Sequence, residues 1–187
     1  MQGPLLFLTE FLRHPSEVAS LVPSTPALKA RIVRDAEVTQ ARTIIELGPG
    51  TGGTTHAILE AMAPGARLLA IEINARFHQR LRRIDDTRLV AHLGSAAELS
   101  AIAAQHGLPA PEVVISGIPF SKLSTAAGEG IIRAVADGLA PGGRFVAYQV
   151  SDRVARLAAP VFGPGQRSTE WLSVPPIRVF RWERPAP

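Results

Sequence analysis

The stretch TIIELGPGTGG, residues 43–53, restricts this chain more than any other. A short β-branched run suited to a strand leads directly into Gly48, Gly50 and Gly52, and a helix fits over about 53–62. Gly48 permits a tight turn, while Gly50 and Gly52 leave room for a ligand to lie against bare backbone. The N-terminus of the following helix adds partial positive charge.

The rest of the chain repeats this unit. RLLAI (67–71), RLVAH (88–92), EVVIS (112–116) and RFVAYQV (144–150) read as strands, and helices fit over 75–84, 95–105 and about 126–139. Such alternation means a parallel sheet with helices on both faces. The ending differs: only Pro175 and Pro176 separate STEWLSV (168–174) from IRVFRWE (177–183). A parallel crossover needs a longer link, so an antiparallel hairpin is expected at the end of the sheet. Ahead of the sheet, Leu5, Phe7, Leu8, Phe11 and Leu12 share the apolar face of a helix over 5–14, with Arg13 on the opposite face. Thr25 caps a second helix that carries Pro26 in its first position and runs to about Glu37.

Composition narrows the function classes. The 187 residues are 46% hydrophobic and 19% charged, which suits a folded chain with a sizeable core. Cysteine is absent, which excludes disulfides and thiolate metal sites and fits a reducing cytoplasm. No run reaches the ~18 apolar residues of a membrane span, and the apolar N-terminus lacks the basic region of a signal peptide. The net charge of +4, mostly arginine, suits an anionic partner such as a lipid surface or nucleic acid. His14, His56, His78, His92 and His106 show no metal-ligand spacing, so no metal is expected.

Read literally, Gly48, Gly50 and Gly53 satisfy the dinucleotide pattern G-x-G-x-x-G, a weak signal alone. Three features disfavour NAD. Glu46 opens the loop, where a carboxylate repels phosphates and favours a cation. The loop lies more than forty residues into the chain, after two helices. The sheet ends in a hairpin rather than a second mononucleotide half. S-adenosylmethionine (AdoMet) has a ribose, an adenine, an ammonium and a sulfonium but no phosphate, and it fits better. Glu72 closes the second strand 20 residues beyond Gly52, where a carboxylate accepts hydrogen bonds from both ribose hydroxyls.

The pattern E-x-G-x-G-x-G (46–52), the acid ending the second strand and L-x-P-G-G (139–143) together resemble the class I AdoMet-dependent methyltransferases over about residues 43–183. The resemblance implies an α/β, Rossmann-like sheet of seven strands with the last strand antiparallel, here preceded by two N-terminal helices. It implies AdoMet as cofactor and S-adenosyl-L-homocysteine as product. Glu46, Gly48, Gly50 and Gly52 would line the methionine and ribose, Glu72 would hold the ribose, Ile73 would pack on adenine, and Ser95 and Ala96 would edge it. Many members carry Asp where this chain has Ser95.

The fourth strand ends in ISGIPF, residues 115–120. In the family this strand end faces the transferring methyl, and enzymes acting on amino nitrogens often carry Asn/Asp/Ser-Pro-Pro-aromatic or Asn-Leu-Pro-Tyr there. Gly117-Ile118-Pro119-Phe120 has that shape, with Gly at the Asn position. FLRHPSEVASLVPSTPAL (11–28), ELGPGTG (46–52), SGIPF (116–120) and PPIRVFRWER (175–184) are similar to the short bacterial phospholipid N-methyltransferases. Those enzymes convert phosphatidylethanolamine stepwise toward phosphatidylcholine at the cytoplasmic membrane face without spanning it.

That resemblance implies a catalytic site of Ser116, Gly117, Phe120 and Tyr148, with Tyr148 holding the amine and both aromatic rings giving cation–π contact to methylated intermediates. It implies a monomer whose residues 1–40 form a membrane or lid segment and whose residues 41–187 form the AdoMet-binding domain. Leu5, Phe7, Leu8, Phe11 and Leu12 would lie in the lipid interface, with Arg13, Arg31 and Arg34 near phosphates of an anionic membrane surface. Two other readings compete: an RNA adenine N6-methyltransferase, and a non-catalytic AdoMet-binding protein of the membrane surface. Gly117 in place of Asn and the lack of an RNA-binding extension count against nucleic acid.

Overall fold

A computed structural model describes residues 25–185. Its strands are β1 (Thr43–Leu47), β2 (Arg67–Glu72), β3 (Leu89–Leu93), β4 (Val113–Ser116), β5 (Arg144–Gln149), β6 (Gln166–Glu170) and β7 (Ile177–Glu183). Its helices are α1 (Pro26–Asp35), α2 (Gly53–Ala61), α3 (Ala75–Leu81), α4 (Leu99–Gln105), α5 (Thr125–Gly138) and α6 (Arg153–Phe162). The strands form one sheet in the order β3-β2-β1-β4-β5-β7-β6. The pairs among β1 to β5 are parallel, whereas β7 runs antiparallel to both β5 and β6. The expected seven-stranded architecture is therefore present.

Burial follows from this layering. Every residue of β1 is buried, because a central parallel strand is covered on both faces. Alternate residues serve different layers. Ile45, Leu47, Val114, Phe145 and Ala147 join the core under α4, α5 and α6. Ile44, Val113, Ile115 and Val146 join Leu28 and Ile32 of α1 and Ile58 and Leu59 of α2 on the other face. Thr25 accepts the Leu28 N–H at 3.2 Å and Pro26 opens α1, as the sequence implied. At the rear of the sheet Glu37 bridges Arg144 of β5 at 2.6 Å and Arg181 of β7 at 2.8 Å.

Three local expectations change. The strand expected over 168–174 is β6, which ends at Glu170, and residues 171–176 connect it to β7. The helix over 95–105 is a 3-10 turn, Ala96–Glu98, leading into α4. Helix α6 has no counterpart in the sequence reading, because Pro160 interrupts its helical signal. The fold nevertheless requires a crossover there, since β5 and β6 run parallel and such strands cannot be joined by a tight turn.

The aromatic stack under α6 is a good test of this packing. Phe145 is buried, with ring centroids 5.2 Å from Trp182 and 5.8 Å from Phe162. Phe145→Ala is expected to lower the unfolding free energy by about 3–5 kcal/mol, measured by urea denaturation.

Candidate active site

The carboxyl ends of β1, β2, β4 and β5 bring the candidate residues to one edge of the sheet, where open α/β sheets bind ligands. Gly48 follows β1 with φ 67°, and a Cβ there would lie 2.9 Å from the Ile118 side chain. The glycine turn and the turn after β4 are therefore packed directly together. Gly50 donates its N–H to Glu72 Oε2 at 2.9 Å, and Asn74 donates to Oε1 at 2.8 Å. Glu72 thus braces the glycine turn from β2. The carboxylate keeps acceptor capacity for a ribose hydroxyl. Burial pushes the Glu72 carboxyl upward, opposed by the N–H groups of Asn74, Gly50 and Ile73.

Glu46 lies inside the protein beneath the turn. Its Oε2 accepts the Thr55 hydroxyl of α2 at 2.6 Å. Among the described residues its Oε1 has no hydrogen-bond partner, although it is buried. Burial pushes this carboxyl up to about 8; the Thr55 hydroxyl opposes the rise, and Glu72 adds to it. An acid in that state is ready to become a carboxylate when a cation arrives. The orphan acceptor and the bare glycine backbone fit a nucleoside ligand that carries an ammonium and a sulfonium. Ile73 is half-buried just beyond Glu72. Ser95 accepts the Ala97 N–H at 3.2 Å and caps the turn that buries Ala96.

The ISGIPF segment shows why glycine occupies its third position. Gly117 donates to the Leu47 carbonyl at 3.0 Å, which ties the turn to β1. A Cβ on Gly117 would lie 2.5 Å from Tyr148 Oη and 3.0 Å from the Gly48 carbonyl oxygen. The Tyr148 hydroxyl fills the space that a side chain at position 117 would need. It shares a 3.1 Å hydrogen bond with Thr54. Burial, then the charge of Glu46, pushes the Tyr148 pKa upward, so the phenol stays neutral at physiological pH. It can accept and donate hydrogen bonds but is not poised as a phenolate base. Ser116 accepts the Ile118 N–H at 3.3 Å and shapes the turn.

Two expectations need adjustment. Phe120 does not present its ring at the open edge. It is fully buried in the core that also holds Val154, Leu157 and Ile131. Arg31 is paired with Glu170 at 3.2 Å, so its Nε is committed within the protein. Arg34 remains exposed beside Asp35, 3.1 Å away. The positions Leu5, Phe7, Leu8, Phe11, Leu12 and Arg13 lie outside the described residues. Sequence reasoning missed Thr54, Thr55 and Gln149. Gln149 donates to the Ile118 carbonyl at 2.8 Å and holds the turn, while its own buried Oε1 has no partner among the described residues. The position of Gln149 after the fifth-strand tyrosine was the only available signal.

No family model matches the chain. Among curated proteins, an ornithine lipid N-methyltransferase from Singulisphaera acidiphila is 33% identical over 147 residues, 78% of this chain and 77% of that one. The chain belongs to the class I AdoMet-dependent methyltransferases. A ribosomal RNA small subunit methyltransferase A from Caulobacter vibrioides is 37% identical over 94 residues, but the match spans 49% of this methyltransferase and 34% of that protein. Among solved structures, N-methyltransferase NodS from Bradyrhizobium japonicum, in complex with S-adenosyl-L-homocysteine, has a TM-score of 0.68 at 13% identity, covering 88% of this chain and 90% of that one. A precorrin-6y C5,15-methyltransferase from Geobacter metallireducens has a TM-score of 0.66 at 17% identity, covering 87% and 90%. The methyltransferase uses AdoMet as cofactor. Among its described residues no His, Cys, Asp or Glu cluster could hold a metal ion, and no helix is long and apolar enough to cross a membrane.

Three measurements follow from this geometry. AdoMet should bind more than about tenfold tighter at about pH 7.5 than at about pH 6 as Glu46 ionises, and Glu46→Gln should flatten that dependence in isothermal titration calorimetry. Without ligand the sign reverses: the native state holds the Glu46 proton more tightly than the unfolded chain. Its contribution to stability is full below 4.5 and is lost as pH rises through about 8. Ligand-free Glu46→Gln should therefore gain in melting temperature over the parent as pH rises. Separately, Gly117→Ala should displace the Tyr148 ring and lower kcat at least about tenfold, or roughly 1.4 kcal/mol in the barrier, measured under saturating AdoMet.

Proposed function

We propose that this methyltransferase transfers methyl groups to the amine of phosphatidylethanolamine, and to its mono- and dimethyl intermediates, toward phosphatidylcholine. It would work as a peripheral protein on the inner face of the cytoplasmic membrane. The observation that carries this reading is the 33% identity with a lipid N-methyltransferase over more than three quarters of both chains. The match to the ribosomal RNA enzymes reaches only about half of this chain. The SGIPF segment adds support, since an amide side chain for recognising a flat adenine amine has no room at Gly117.

When bound, AdoMet supplies an electrophilic methyl on a sulfonium. The ethanolamine nitrogen arrives as an ammonium and must lose a proton before it can act as nucleophile. An enclosed, partly dry site lowers an amine's pKa and favours that loss to solvent. Backbone carbonyls of the turn after β4 and the neutral Tyr148 hydroxyl then orient the nitrogen lone pair. The Ser116 and Gln149 hydrogen bonds hold that turn in place. After each transfer the nitrogen is again cationic and sheds a proton before the next. The Tyr148 ring gives the bulkier methylated intermediates a cation–π surface.

The lipid relative also favours a second reading, in which the acceptor is the amine of an ornithine lipid. One assay separates these: labelled AdoMet with vesicles containing phosphatidylethanolamine, with vesicles containing an ornithine lipid, and with ribosomal RNA. Label in the phosphatidylethanolamine fraction is the expected result. Label in ornithine lipid or RNA alone, or AdoMet binding without transfer to any of them, would overturn it. Tyr148→Phe should lower kcat by about tenfold with AdoMet affinity unchanged; full activity would remove the hydroxyl from the mechanism.

A further inference from the structure

The largest exposed apolar side chains among the described residues gather in one short loop. Trp171 is 75% exposed, Leu172 76% and Val174 88%, all between β6 and β7. Since β6 runs parallel to β1 and its neighbours, this loop emerges at the carboxyl edge of the sheet, where the glycine turn, Glu72, the ISGIPF turn and Tyr148 also lie. Val150, 48% exposed, follows β5 at that same edge. The loop is a built feature. Glu170 accepts the Leu172 N–H at 3.0 Å through one oxygen and Arg31 Nε at 3.2 Å through the other. Ser173 is buried while its three apolar neighbours face outward.

Charge completes the picture. Ser168 donates to Asp35 at 3.2 Å, which fastens α1 beside β6. Arg34, with a side chain 65% exposed, therefore stands on the helix that abuts this hairpin. An exposed indole with two aliphatic side chains beside an exposed guanidinium, whose one ion pair is with Asp35, matches the apolar boundary and phosphate layer of a bilayer.

We propose that the Trp171–Val174 loop inserts into an anionic lipid surface, with Arg34 meeting phosphates, and so turns the active-site edge of the sheet toward the membrane. The proposal rests on the reading of the acceptor as a lipid. It gives the enzyme a membrane contact outside the helix expected over residues 5–14.

The two tryptophans allow a direct test, because Trp182 is only 3% exposed and Trp171 is the accessible one. Full-length protein is mixed with phosphatidylglycerol–phosphatidylethanolamine vesicles, with and without bromine on the acyl chains. Brominated vesicles should quench tryptophan emission, and Trp171→Phe should abolish that quenching. The Leu172→Ser, Val174→Ser double variant should bind vesicles at least about tenfold more weakly, with melting temperature and AdoMet affinity unchanged. No quenching of Trp171, unchanged vesicle affinity of the double variant, or a dimer in solution that the double variant dissolves would each overturn the proposal. Label transferred to lipid without Trp171 quenching would sink the loop and leave the lipid acceptor standing. Quenching without transfer to any lipid would do the reverse.

Discussion

The hydrogen bond from the Gly50 N–H to the Glu72 carboxylate holds the active edge together. It joins the turn after β1 to the end of β2, and the Gly117 N–H to Leu47 carbonyl bond joins the turn after β4 to β1. Three loops that connect separate strand–helix units thereby become one surface. Loops normally carry the least order in a fold, yet here each is fixed by backbone donors meeting acceptors within the sheet. The cofactor cradle therefore exists before any cofactor arrives, which reduces the ordering cost of binding.

Burial sets the electrostatics of that surface. Glu46 and Glu72 are both buried; desolvation is the largest influence on each, and Glu72 adds less than desolvation to the proton affinity of Glu46. Their surroundings differ in one respect. Glu72 is met by three backbone N–H groups, whereas Glu46 has a single hydroxyl partner. One acid is stabilised as an anion by the protein, while the other waits for a counter-charge. Two carboxylates of the same motif thus serve as brace and as cation receptor.

Much of this was legible in the sequence. The β-branched runs, the glycine turn and the short connection between the last two strands, which is Trp171–Pro176 rather than the two prolines alone, specify a parallel sheet ended by an antiparallel hairpin, because strand direction follows from connection length. Helix α6 was hidden by Pro160, and only the parallel relation of β5 and β6 demands it. The cofactor residues were readable because glycines and an acid at fixed spacing have few other uses. Phe120 was misplaced because a proline–aromatic pair says nothing about where the ring points, and the core it joins includes side chains of α5 and of α6, the latter distant in sequence. Thr54, Thr55 and Gln149 were invisible for a related reason: their roles come from partners that the sheet brings together from distant parts of the chain.

Gly117 and Tyr148 occupy one volume between them, since any side chain on the former would meet the hydroxyl of the latter. The two positions, 31 residues apart in sequence, are therefore not independent letters. A homologue that acquires Asn or Ser at the first must shorten or redirect the second, and one that keeps the tyrosine is confined to glycine. Acceptor choice in this lineage would then change through paired substitutions, and neither member of a pair would survive selection for long without the other.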